Sequence, residues 1–201
     1  MIIDRDFIKS SLFQCGFHAH SRQKHILLVS PDSEVSPAFT PVIMRRRGQF
    51  RITGGFGLYA AEFEENWRKT LSREELKVER TLPIMISIEN FAELNDVGVF
   101  RDLSTENEVE VVSALLFEYC SLMPQSVEAL LSDLRTCSIL GRKFADYIHH
   151  FSDVDDSNIY FRKSATFLHW ASVRWPGAGD AMSACLDSRT KLLVAQYHHQ
   201  I

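Results

Sequence analysis

The first periodic segment is a helix. Phe7, Ile8, Leu12 and Cys15 fall on one face, Asp4 or Asp6 stands ready to cap the free N–H groups at its start, and Gly16 supplies the left-handed stop. The period then changes. Phe17-His18-Ala19-His20 alternates, and His25 to Val29 is a short run of leucine and β-branched residues. Pro31 to Pro41 shows no period and reads as a loop, after which Val42-Ile43-Met44 opens another strand. Gly48-Gln49 marks a turn. Phe50, Ile52, Phe56 and Leu58 alternate with Arg51, Thr53 and Gly57, the signature of a half-buried strand. Gly54, Gly55 and Gly57 within it imply a bulge or a close backbone approach.

A helix follows over Ala60 to Leu71, with Phe63, Trp67 and Leu71 one turn apart, and the charged run Ser72 to Glu79 extends it or starts another turn. Leu82, Ile84, Ile86 and Ile88 alternate as a further strand, with Pro83 suited to its start or to an edge. Beyond about residue 90 the period is helical. Thr105 and Glu108 form a capping box ahead of Val109, Val112, Leu116, Tyr119 and Met123. Val127, Leu130, Leu131 and Leu134 mark a second helix, and Phe144, Ile148 and Phe151 a third. Phe161 to Trp175 is a fourth, stopped by Pro176-Gly177. Asp180 is the expected cap of a last helix carrying Met182, Leu186, Leu193 and Tyr197.

Strands gathered early and helices gathered late predict an α+β fold. An antiparallel N-terminal meander with a strand over about 82–88 is packed with a helix-rich C-terminal half. One body over 1–201 is the simplest arrangement. Two lobes, 1–95 and 96–201, joined near Asn95 to Thr105, are the alternative.

Composition changes this picture little. The chain has 201 residues, 45% of them hydrophobic, enough for a core without staples. Its net charge of −4 gives no general attraction to nucleic acid or anionic membrane, and neither is expected as a partner. Cys15, Cys120, Cys137 and Cys185 form no CxxC pair and read as reduced core thiols, with one buried disulfide left open. The charged start MIIDRDFIKS is unlike a signal peptide, and no run reaches the length of a membrane span. A cytoplasmic protein is expected.

Few residues point to chemistry. His18 and His20 share a strand face about 7 Å apart and could hold a metal with Asp153, Asp155 or Asp156, against the plainer reading of a polar strand face shared with Arg22. Arg45-Arg46-Arg47 offers guanidinium forks, Arg45 and Arg47 on one face, read as a solvated strand end whose arginines meet Asp or Glu side chains, with an acidic protein partner and then nucleic acid as the alternatives. The glycines at 54–57 lack the lysine of a phosphate loop, and no GxSxG elbow is present. Adjacent His149 and His150 diverge by about 100° on a helix and rarely share an ion. The carboxylate pairs Glu64-Glu65, Glu74-Glu75 and Asp155-Asp156 fall in polar stretches and read as solvated. Phe161, Leu168 and Trp175 share a buried stripe, and Trp170, lying off it, is the interface candidate.

The segment from the helix ending in Cys15-Gly16-Phe17, through Phe50-Arg51-Ile52 and Gly57-Leu58-Tyr59, to Phe63 and Trp67 resembles a family of uncharacterised bacterial α+β domains, some of which look like immunity proteins encoded beside toxins. The resemblance covers residues 4–70 and brings no catalytic residue. It implies a small cytosolic protein that acts by binding another protein. The leading expectation is therefore a non-enzymatic protein-binding protein, of immunity type, with Arg45, Arg47 and Trp170 as contacts and no cofactor. The alternatives are a metal-dependent hydrolase built on His18 and His20, and a structural or regulatory subunit that dimerises through its C-terminal helices.

Overall fold

The computed structural model describes residues 3–79, 81–91, 102–136, 159–186 and 191. It is an α+β fold. Five antiparallel strands form a meander in chain order: β1 (His18–Ala19), β2 (Leu27–Leu28), β3 (Ser36–Arg46), β4 (Gln49–Tyr59) and β5 (Ile84–Ser87). Around them lie α1 (Arg5–Gln14), α2 (Ala61–Thr70), α3 (Glu75–Val78), α4 (Glu106–Ser121), α5 (Val127–Thr136), α6 (Ile159–Arg174) and α7 (Ala178–Cys185). The helix expected near Phe144 to Phe151, and Leu193 and Tyr197 of the last helix, lie outside the described residues.

Local chemistry sets most element ends. Asp4 accepts the Phe7 N–H at 2.8 Å to begin α1. Thr105 and Glu108 complete the capping box of α4, and hydrogen bonds from the Ser104 backbone and side chain, then from Thr105, hold the Glu108 carboxyl down to about 2. Ser72 and Glu75 exchange the same kind of bonds ahead of α3, so the charged run is a separate helix and not an extension of α2. Asp180 is not the cap of α7. Gly177, at φ 82°, takes that place, and Asp180 lies in the first turn.

β3 starts at Ser36, inside the stretch expected to be a loop. Pro37 and Pro41 conceal it, because proline is a poor strand former in general but fits where its nitrogen faces away from the neighbouring strand. The β3–β4 turn also differs from the expected Gly48-Gln49. Arg46 pairs with Gln49, so Arg47 and Gly48 are the two turn residues, with φ of 50° and 84°. Two positive φ values define the tight hairpin turn whose twist matches its strands. In such a hairpin the flanking pair Arg46↔Gln49 exchanges hydrogen bonds, and the bonded pairs alternate from there. Met44 and Val42 are then bonded to β4, while Arg45, Ile43 and Pro41 direct their backbone groups the other way. The same alternation turns Phe50 outward on β4, where it exchanges backbone bonds with Leu103 at 3.1 and 2.6 Å.

Among the described residues a large core runs from Ile8 and Phe56 to Phe167, Ala178 and Leu186, and a smaller cluster gathers Ile26, Leu28, Ala38, Tyr59 and Leu82. α4 packs on α1 and β3, α2 meets α6, and α7 rests on α5 and α6. Cys15 and Cys120 are free thiols, the Cys185 thiol meets the Leu134 carbonyl oxygen, and Cys137 lies outside the described residues. The β4 glycines answer to close approach: a Cβ on Gly57 would run into the Ile84 carbonyl oxygen and press Leu82. Gly57→Ala is expected to cost about 3 kcal/mol, the upper end for overpacking. Gly48→Ala, which meets open space, costs only the strain of positive φ, about 1–2 kcal/mol. Urea denaturation of the two variants reads the difference.

Candidate functional site

Two surface features stand out. The first is the far half of the β3–β4 hairpin. β2 pairs with β3 only at Ala38 and Phe39, so the β3 edge from Pro41 to Arg46 has no strand beside it among the described residues. One face of this arm carries Val42 (51% exposed) and Met44 (41% exposed) beside Thr53 and Arg51. The other is anchored by the buried Phe50 and Ile52. Arg51 is neutralised by Asp102 at 2.9 Å. Arg45, Arg46 and Arg47 are exposed, and no carboxylate pairs with any of them among the described residues. Arg45 lies over the Phe50 ring, 5.7 Å from its centroid. Arg47 does not share a strand face with Arg45 as expected, because it has left the strand for the turn. The three charges instead cluster around the hairpin tip.

The second feature is a cleft of about 580 Å³ between the β1–β2 connection and α2, with His20, Arg22, Tyr59, Glu64, Arg68 and Leu76 among its walls. His18 and His20 do not form the expected pair. β1 ends at Ala19, His18 is exposed, and both nitrogens of His20 are engaged. Nδ1 accepts the Gln23 backbone N–H at 2.9 Å, and Nε2 meets the Tyr59 hydroxyl at 2.8 Å. A backbone amide only donates, so Nδ1 carries no proton and Nε2–H is the donor to Tyr59. Burial, then the charges of Arg22 and Arg68, hold His20 below its ordinary pKa. Burial, then Glu64, pushes Tyr59 up to about 12. The described residues hold no group of three or more His, Cys, Asp or Glu able to take a metal ion, and Asp153, Asp155 and Asp156 lie outside them.

Behind the cleft lies a group that the sequence concealed. Lys163 of α6 is fully buried, with its Nζ 2.9 Å from Glu64 Oε2, 2.9 Å from Glu79 Oε1, and bonded to the Thr81 carbonyl oxygen. Glu79 also accepts from the Thr81 N–H at 3.1 Å. Glu64 is therefore not solvated. It is 1% exposed, and burial raises its pKa against the pull of Lys163. The expectation fails because Glu64 follows Phe63 and precedes Trp67 by three, so it sits on the edge of the apolar stripe and goes inward with it. That spacing is the signal that could have found it. Its neighbour Glu65 is exposed and pairs with Lys69 at 3.5 Å.

Trp170, expected as an interface contact, is buried within the folded chain. It is 9% exposed and sits in an aromatic cluster, 5.1 Å from Trp175, 5.7 Å from Phe63 and 5.9 Å from Phe167. A single-stripe reading of α6 fails because Phe161 and Leu168 on one side and Phe167 and Trp170 on another are all buried. α7 likewise turns Ala178, Ala181 and Met182 into the core. No helix among the described residues is long and apolar enough to cross a membrane. No family model, curated protein or solved structure matches the chain.

Proposed function

We propose that this chain is a non-enzymatic protein-binding protein that receives an acidic, extended segment of another protein along the open edge of β3. The observation that carries the reading is the arm: a strand edge ending on three arginines, with neither a neighbouring strand nor a paired carboxylate among the described residues. Strand addition takes its affinity from main-chain hydrogen bonds and its selectivity from alternate side chains. Ile43 and Arg45 offer an N–H and a C=O each on that edge, and Pro41 a C=O. Val42 and Met44 give apolar footing on one face. The guanidiniums favour carboxylates and repel a basic segment. Edge arginines and Pro41 also blunt unselective strand pairing, which suits an edge reserved for a charged partner.

Fluorescence anisotropy with a labelled synthetic peptide that alternates valine with glutamate tests this. The peptide is expected to bind, more weakly as salt rises, while its valine–lysine counterpart does not. Reversing Arg45, Arg46 and Arg47 to glutamate is expected to abolish binding and leave the fold intact, since all three are exposed. Equal binding of both peptides, or undiminished binding by the reversed variant, contradicts the reading. A second copy of the chain seated on the edge, seen as a dimer by sedimentation, contradicts it as well.

A further inference from the structure

The His20–Tyr59 cleft holds a donor without an acceptor. His20 Nε2–H donates to the Tyr59 oxygen, so the phenolic hydrogen is free to be given elsewhere, and it makes no hydrogen bond to another described residue. Tyr59 is 8% exposed and lines the cleft, so an acceptor bound there is within reach of that hydrogen. Arg22 and Arg68 stand on the same walls without an ion-pair partner among the described residues. Of the two carboxylates present, Glu65 is paired with Lys69 and Glu64 is drawn back onto Lys163. Glu64 still acts on Arg68 through space, but no carboxylate among the described residues forms an ion pair with either guanidinium facing the opening. Ala61 and Leu76 add apolar wall, and α2 begins at Ala61 with no side-chain cap on its first turn. At about 580 Å³ the cleft is in the range of small-molecule sites and larger than a bare inorganic anion needs.

We infer that this cleft binds a small organic phosphate monoester. The two guanidiniums grip the phosphate, the Tyr59 hydroxyl donates to one of its oxygens, and the organic body lies against Leu76 and Ala61. Guanidinium forks match phosphate oxygens in geometry, and a buried neutral donor adds a bond that does not need long-range attraction. His20 acts here as a positioning residue. It fixes the tyrosine hydroxyl through Nε2 and the Ser21–Gln23 connection through Nδ1. The site is independent of the hairpin arm, since Tyr59 and Gln49 are opposite ends of β4, roughly 33 Å apart along an extended strand.

Isothermal titration with phenyl phosphate and with inorganic phosphate tests the inference on the full chain. Phenyl phosphate is expected to bind saturably and more tightly than inorganic phosphate. Arg22→Gln and Arg68→Gln are each expected to weaken it about tenfold, the worth of one charge-assisted hydrogen bond. Both residues are exposed, so these variants stay folded. Tyr59→Phe should weaken binding several-fold, and Lys9→Gln, an exposed residue that does not line the cleft, should change nothing. The inference is overturned if neither compound binds saturably, if phenyl phosphate binds no more tightly than inorganic phosphate, or if the two arginine variants bind as the native chain does.

Discussion

Replacing Lys163 with methionine is expected to destabilise the fold by about 3–5 kcal/mol, the cost of stripping one partner from a buried charge cluster. A typical domain has only about 5–15 kcal/mol in total. The ammonium spends its three donors on Glu64, Glu79 and the Thr81 carbonyl, and no other cation among the described residues forms an ion pair with those carboxylates. Methionine fills much of the volume, so the loss reports charge and hydrogen bonding rather than a cavity. Lys163→Met combined with Glu64→Leu and Glu79→Leu should regain most of that loss, because an apolar replacement of the whole cluster leaves no orphaned charge. A single variant within about 1 kcal/mol of the native chain, the worth of an exposed pair, would show that the cluster does not hold α6 to α2.

The cluster also has a pH signature. Burial raises the Glu64 carboxyl above its ordinary 4.5, so the folded chain binds that proton more tightly than the unfolded chain. Its contribution is fully present below the ordinary value and is lost as pH rises through the raised one. Glu75 and Glu108 run the opposite way. Both are held down to about 2, and the stability they add above 4.5 is lost as pH falls below it. Comparing the native chain with Glu64→Gln across pH isolates the first effect, because the other two cancel in the difference.

Trp170→Ala is the second large expected effect, about 3–5 kcal/mol of stability with acidic-peptide binding unchanged once the protein is folded. The indole closes a packed group with Phe63, Phe167 and Trp175, and removing it opens a hole between α2 and α6. Nearly unchanged stability with lost peptide binding would return Trp170 to the role that its place off the Phe161 stripe implied.

The sheet and the helices were legible where one face is apolar and the other wet. Phe50 to Leu58 alternates because β4 lies over a core, and the Thr105–Glu108 box is a local reaction of two side chains with free amides. Legibility fails where tertiary context decides. Pro37 and Pro41 look like loop residues until it is known which way each nitrogen faces. Lys163 and Glu64 look solvated because each is polar, and only their meeting across α6 and α2 makes burial affordable to either. The tip arginines were visible as a run, but the open edge that gives them a use depends on how short β2 is. The Tyr59–His20 pair spans 39 residues, and no local pattern reports it.

Amide hydrogen exchange along β3 tests the binding edge most directly. In the free protein the Ile43 and Arg45 amides face the open edge and exchange fast, while Val42 and Met44, bonded to β4, exchange slowly. Adding the valine–glutamate peptide is expected to slow Ile43 and Arg45 and leave Val42 and Met44 as they were. If Ile43 and Arg45 exchange at the same rate with saturating peptide as without it, no strand has been added there and the proposed function is wrong.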